Sequence, residues 1–375
     1  MKNWISTWGL AHADIRQFHP GFKKRTMRLA LRNNLRGEAV RVRFSNRDGN
    51  KALQIIGAAL RTEDTIPLQF AGKTVLRLEP GQEACSDAIP LAVGPGMIIT
   101  LSAAFAGAVS SGNSIPAIIQ CSPRGNFVDA VQFPSAHLGL TECYYGMLQP
   151  IPALSAVEVL TEEPAHAVVC FGDSITQQGR WTGPLEEILY RQYPGQIALL
   201  NKGIGGNRLL HGPLPLIGRT YGTAGKDRFQ RDVLEEPGAK TVILALGTND
   251  IGMARGPADT AWTDATAIAQ GLTLLVRNAK TKGLRVFGTT VLPRGGTQSY
   301  RDVQEKERIK LNGWLRKTDI FDAVFDFDAA LRDPAHPGQL AFAYDSGDHL
   351  HPGTMGGSRM AACIVETLEK KQLAL

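Results

Sequence analysis

Four short stretches hold the residue types that acyl transfer requires. "GDSIT" (172–176) carries Ser174, and "NKGIGGNR" (201–208) carries Gly206. "GTND" (247–250) carries Asn249, and "DSGDHLHPGT" (345–354) carries Asp348 and His351. A serine hydroxyl is a weak nucleophile until a base takes its proton. His351 is the candidate base. Asp348 lies three residues earlier, close enough on one loop to bond the imidazole and hold its tautomer. The tetrahedral intermediate also needs hydrogen-bond donors, and losing one typically costs about 10²–10³ in rate. A backbone N–H in the glycine-rich turn at Gly206, the Asn249 amide and the Ser174 N–H could supply them.

Each stretch has a plainer reading. Ser174 could simply cap a helix, since Ser and Asp are favoured there, and Asp173 reads as structural. Asn249 and Asp250 could be turn residues. "GIGGNR" is a weak dinucleotide fingerprint, because Arg208 stands where the last glycine is needed. "GTAGK" is no phosphate loop, with Thr220 in place of the first glycine and Asp227 after the lysine. His349, His351, Asp345 and Asp348 are all metal-ligand types, but no H-E-x-x-H occurs. G-x-S-x-G fails at Thr176. Either imidazole of "DHLH" could serve as base. Trp181, Arg208, His211, Tyr221 and Tyr344 lie near the motifs in sequence and receive no role. The Pro- and Gly-rich loop 211–225 is of the kind that shapes or covers a site.

Elements must bring these stretches together. After Pro164, short apolar runs alternate with helical spacing. "AVVCF", "IALLNKG", "TVILAL", "RVFGTTV" and "FDAVFDF" read as strands. "GPLEEILYRQY", "KDRFQRDVL", a long segment ending near Gly283, "DVQEKERIKLNGWLRK" and "GGSRMAACIVETLEKK" read as helices. That alternation predicts a parallel sheet covered on both faces. In such sheets sites gather at the carboxyl ends of the strands, which is where the first three motifs fall.

Residues 1–150 have a different texture. Short alternating strands are separated by turn signals such as "RDGN" and "EPGQ", which predicts a β-sandwich of jelly-roll type. "MRLALR" and "VRVRF" place Met27, Leu29, Leu31, Val40, Val42 and Phe44 inward, with Arg28, Arg32, Arg41 and Arg43 expected on a solvated face. Residues 151–164, with prolines at 152 and 164, read as a linker, and 165–375 as the second domain.

With 375 residues, the length suits about two domains of roughly 100–200 residues. Apolar residues make 43% and charged residues 20%, which allows a sizeable core. The net charge of +6 is modest, and the N-terminal arginines fit strand faces better than a nucleic-acid arm. No apolar run is long enough to span a bilayer. The start lacks an apolar signal core, so a cytoplasmic chain is expected unless a signal has been removed. Five scattered cysteines (85, 121, 143, 170 and 363) without C-x-x-C fit a reducing compartment and no disulfide framework.

In their order, the four motifs resemble the blocks of the SGNH, or GDSL-type, hydrolase superfamily, named for Ser, Gly, Asn and His. Ser174, Gly206, Asn249 and the Asp348–His351 pair occupy the matching positions over residues 165 to 370. The resemblance implies a flavodoxin-like α/β/α sandwich, a serine mechanism, no metal and no cofactor. "RFQRDVLEEPGAKTVILALGTNDIG" and the β-rich first half resemble a bacterial subgroup often linked to carbohydrate esters. The expected function is therefore hydrolysis of short-chain carboxylic esters, acetyl or other small acyl groups on carbohydrate. The expected partner is a small-molecule or saccharide ester, with no nucleic acid and no membrane; a homo-oligomer is left open. Two alternatives stand beside it: a carbohydrate-binding protein on an inactive hydrolase scaffold, and a metal-dependent hydrolase.

Overall fold

The computed structural model describes every residue except 1, 16–22, 118, 137–148, 163, 214–217, 255 and 261. Cys143 therefore lies outside the described residues, as does part of the loop 211–225. One compact unit is built mainly from Met1–His166, and the other mainly from Ala167–Arg191, Asn201–Leu214 and Thr223–Leu375.

The first unit is antiparallel and β-rich, as the turn-punctuated sequence predicts. One sheet orders the strands Lys2–Gly9, Leu154–Glu162, Gly37–Ser45 and Glu83–Cys85, with Ile89–Val93 also paired to Gly37–Ser45. Another orders Ile119–Arg124, Arg25–Arg32, Ile98–Phe105, Leu53–Arg61 and Thr65–Pro67. The expected inward residues Val40, Val42, Phe44, Met27, Leu29 and Leu31 are all buried.

Two expectations need correcting. The segment 151–164 is not a linker: Leu154–Glu162 is a strand paired on both sides, with Lys2–Gly9 and with Gly37–Ser45. Its "SAVEVL" alternation has the period of a strand, and the flanking prolines only mark its ends. Nor are all the strand arginines solvated. Arg28 is buried, donating to Ser102 Oγ and to the Val128 and Ala130 carbonyls, with its guanidinium 4.4 Å from the Phe133 ring centroid. Arg41 and Arg43 both pair with Glu158, a carboxylate on the Leu154–Glu162 strand that is itself 1% exposed. Period two assigns a side to a side chain but not whether another segment covers that side.

A five-stranded sheet has the order Ile197–Gly203, His166–Gly172, Ala239–Ala245, Arg285–Thr289, Ala323–Phe325, and all of it but His166 and residues 197–200 belongs to the second unit. The pairings from His166–Gly172 to Ala323–Phe325 are parallel. This is the 2-1-3-4-5 order of flavodoxin-like folds, and the unit is an α/β/α sandwich. Val168, Val169, Cys170 and Phe171 are fully buried, the continuous burial that a sheet covered on both faces requires. Each large side chain so buried stabilises the fold by about 1.5–3 kcal/mol.

The helix Ala265–Thr281 shows how local sequence sets an element. Asp264 caps its start by accepting the Ala267 N–H at 2.8 Å. Ile268, Leu272, Leu275, Val276 and Ala279 form the buried stripe, and the chain turns at Gly283. The helix packs against the helix Asp302–Leu315 and the strand Arg285–Thr289. Among the described residues, no helix is long and apolar enough to cross a membrane.

Candidate active site

Ser174 follows the strand His166–Gly172 and opens the short helix Ser174–Gln177. Asp173, not Ser174, caps that helix: its Oδ1 accepts the Ile175 N–H at 3.0 Å. The serine hydroxyl is thus left for another partner, and it lies 2.8 Å from His351 Nε2. His351 Nδ1 lies 2.7 Å from Asp348 Oδ2. Asp348 Oδ1 in turn accepts the N–H groups of His351 at 2.8 Å and Leu350 at 3.0 Å. An acceptor-only carboxylate at Nδ1 places the neutral ring's proton there. Nε2 then presents its lone pair to the serine hydroxyl, as a base must.

The two nearby carboxyls are shifted in opposite directions. Burial pushes Asp348 up, but the His351 side-chain and backbone hydrogen bonds outweigh it and hold the group well below the ordinary carboxylate range. Asp173 is 2% exposed. Burial drives its carboxyl up to about 7, opposed by the Ile175 N–H and the nearby His351. Behind it lies a cavity of about 20 Å³, lined in part by Asp173, Trp181, Thr248, Thr290, Phe327 and Met360, room for about one water.

The second and third motifs are tied to the same strand ends. Ile204 N–H donates to the Gly172 carbonyl at 3.2 Å. Gly206 has φ of +70°, a left-handed conformation that glycine adopts without steric cost. Asn249 Nδ2 donates one N–H to the Asn207 carbonyl at 3.0 Å, which orients the amide beside the glycine turn and leaves its second N–H for a ligand. Asp250 accepts the Leu209 and Leu210 N–H groups at 2.7 and 2.9 Å, fastening the third motif to the end of the second. Ser174, at the first position of its helix, has a backbone N–H with no intrahelical acceptor.

Sequence reasoning missed a buried organiser, Arg228. It is 1% exposed. It donates to Gly172 O at 2.8 Å, Lys202 O at 3.0 Å, Asn207 Oδ1 at 2.9 Å and Asp232 Oδ2 at 2.9 Å. It thereby links two strand ends to the second motif, and its guanidinium lies 4.0 Å from the Phe171 ring centroid. Although burial pushes Asp232 up, Arg231 and Arg228 outweigh that and hold it well below its ordinary range. In the sequence "KDRFQRDVL" reads only as a helix, and helical spacing does not say that Arg228 is buried. Of the residues left without a role, Trp181 is buried and His211 Nε2 lies 2.7 Å from Thr263 Oγ1. Among the described residues, no three His, Cys, Asp or Glu side chains gather as a metal-ligand set.

The model of the GDSL-like lipase/acylhydrolase family matches residues 170–357, half of the chain. The chain belongs to that family. It is a carboxylic ester hydrolase. No curated protein matches the chain in sequence. Solved structures similar to it include a GDSL-like lipase from Bacteroides thetaiotaomicron, 19% identical, with a TM-score of 0.41 over 56% of this chain and 92% of that one. A lipase/acylhydrolase from Enterococcus faecalis is 19% identical, with a TM-score of 0.41 over 55% and 96%. The acetyl xylan esterase AlAXEase is 20% identical, with a TM-score of 0.41 over 53% and 98%.

Proposed function

We propose that this GDSL-type hydrolase cleaves short-chain carboxylic esters through Ser174, His351 and Asp348, with acetyl or other small acyl groups on carbohydrate as substrates. The observation that carries the reading is the unbroken run from Ser174 Oγ to His351 Nε2 at 2.8 Å and from His351 Nδ1 to Asp348 Oδ2 at 2.7 Å. His351 takes the hydroxyl proton as Ser174 Oγ attacks the ester carbonyl carbon. Asp348 compensates the imidazolium charge. The carbonyl oxygen becomes an oxyanion, held by the Ser174 and Gly206 N–H groups and the second N–H of Asn249. Collapse expels the alcohol, which takes its proton from His351. Water then attacks the acyl-serine by the same proton path, releasing the acid and restoring Ser174.

A chromogenic aryl acetate tests the reaction. Ser174→Ala is expected to lower kcat by roughly 10⁴–10⁶ with an unchanged melting temperature. Mass spectrometry of wild type quenched during turnover is expected to show one acyl adduct on Ser174. Hydrolysis retained by the variant would overturn the assignment. Acetylated sugars set against esters of longer acyl chains, compared by kcat/KM, test the substrate class.

A further inference from the structure

A second Asp–His pair sits on the same loop as the first. His349 Nδ1 lies 2.6 Å from Asp345 Oδ2. Asp345 Oδ1 accepts the N–H groups of Gly347 at 2.9 Å and His349 at 3.0 Å, so this carboxylate, like that of Asp348, is gripped by its own loop. The difference lies in the imidazole. The side chain of His351 is 5% exposed, whereas that of His349 is 53% exposed.

The backbone makes the second imidazole unusual. His349 has φ of +62°, a left-handed conformation that is unfavourable for a residue with a Cβ. A glycine would fill that position at lower cost. The loop after the strand Arg285–Thr289 also makes room for the ring: Gly296 has φ of +97°, and a Cβ there would lie 3.0 Å from His349 Cγ. A strained residue held by a carboxylate and lodged over a glycine points to use of the side chain.

We propose that the Asp345–His349 pair determines specificity: His349 Nε2 accepts a hydrogen bond from a hydroxyl on the alcohol part of the bound ester. The proposal rests on the esterase reading above. Asp345 faces Nδ1 and keeps the neutral ring's proton on that side, so Nε2 of this half-exposed side chain is an acceptor. Consecutive Cα atoms are about 3.8 Å apart, so His349 and His351 lie within about 7.6 Å at Cα. The second imidazole is therefore carried by the same loop as the base that, in the proposed mechanism, protonates the leaving alcohol. The favoured substrates are esters of polyols and sugars rather than of simple alcohols.

The test compares glycerol monoacetate with propyl acetate, which has the same carbon skeleton without the hydroxyls. His349→Gly is expected to lower kcat/KM for glycerol monoacetate by about 3- to 10-fold, the worth of one hydrogen bond. Propyl acetate turnover should stay unchanged, and the melting temperature should hold or rise as backbone strain is relieved. His349→Asn, which also tolerates the left-handed backbone, is expected to show the same selective loss. Equal losses on both esters, or no loss on either, would overturn the proposal. A wild type inactive on both esters overturns the short-chain ester reading and the proposal with it. A wild type active on both, without the selective loss, overturns the proposal alone.

Discussion

The turn that carries Ser174 and the loop that carries His351 handle charge in opposite ways. The turn holds Asp173 almost wholly buried, with a carboxyl pushed up to about 7. The loop holds Asp348, whose His351 hydrogen bonds overcome burial and keep it ionised. Negative charge is thus favoured beside the imidazole and disfavoured next to the serine. In the proposed mechanism positive charge develops at the first and an oxyanion at the second, so the two aspartates are suited to different work.

The largest expected effect breaks the charged side. Asp348→Asn should lower kcat by about 10⁴, because the imidazole loses both its tautomer and its counter-charge. A loss below ten-fold in ester hydrolysis would erase the contrast between the two aspartates. Next comes the serine side, which is expected to act through donors rather than charge. Asn249→Ala should lower kcat by about 10²–10³ with little change in KM; a change confined to KM would assign Asn249 to binding instead.

Asp173→Asn is expected to leave kcat within about three-fold at pH 6, since the amide keeps the acceptor for Ile175 and only replaces a protonated acid. Its signature is in stability. The folded pKa of about 7 lies above the reference value of 3.8, so between these values the folded state holds more protons than the unfolded one. Stability then falls as pH rises from about 4 to about 7. The wild-type melting temperature should drop across that window more than that of Asp173→Asn; parallel curves would mean that Asp173 is ionised throughout. The smallest effect has the opposite sign. Asp348 is depressed below 3.8, so its contribution is present above that value and lost as pH falls through the folded pKa. Melting of wild type and Asp348→Asn should differ by a constant amount above about pH 5 and converge only as the pH falls below 3.8.

The sequence by itself determined the parallel sheet, because unbroken apolar runs such as "AVVCF" and "TVILAL" alternate with helical spacing. It also nominated Ser174, Gly206, Asn249, Asp348 and His351, since their chemistry and order are written locally. It named His349 as a rival base and as a metal-ligand type, because spacing does not say which way a ring points. The tertiary structure decided that Asp173 caps the helix while Ser174 Oγ meets His351, 177 residues away. It also decided that Leu154–Glu162 is an inner strand rather than a linker, and that Arg28 and Arg228 are buried. Those outcomes depend on which segments cover a side chain or pair with a strand. Local periodicity fixes the side a residue faces, but burial and partner are properties of distant chain brought close.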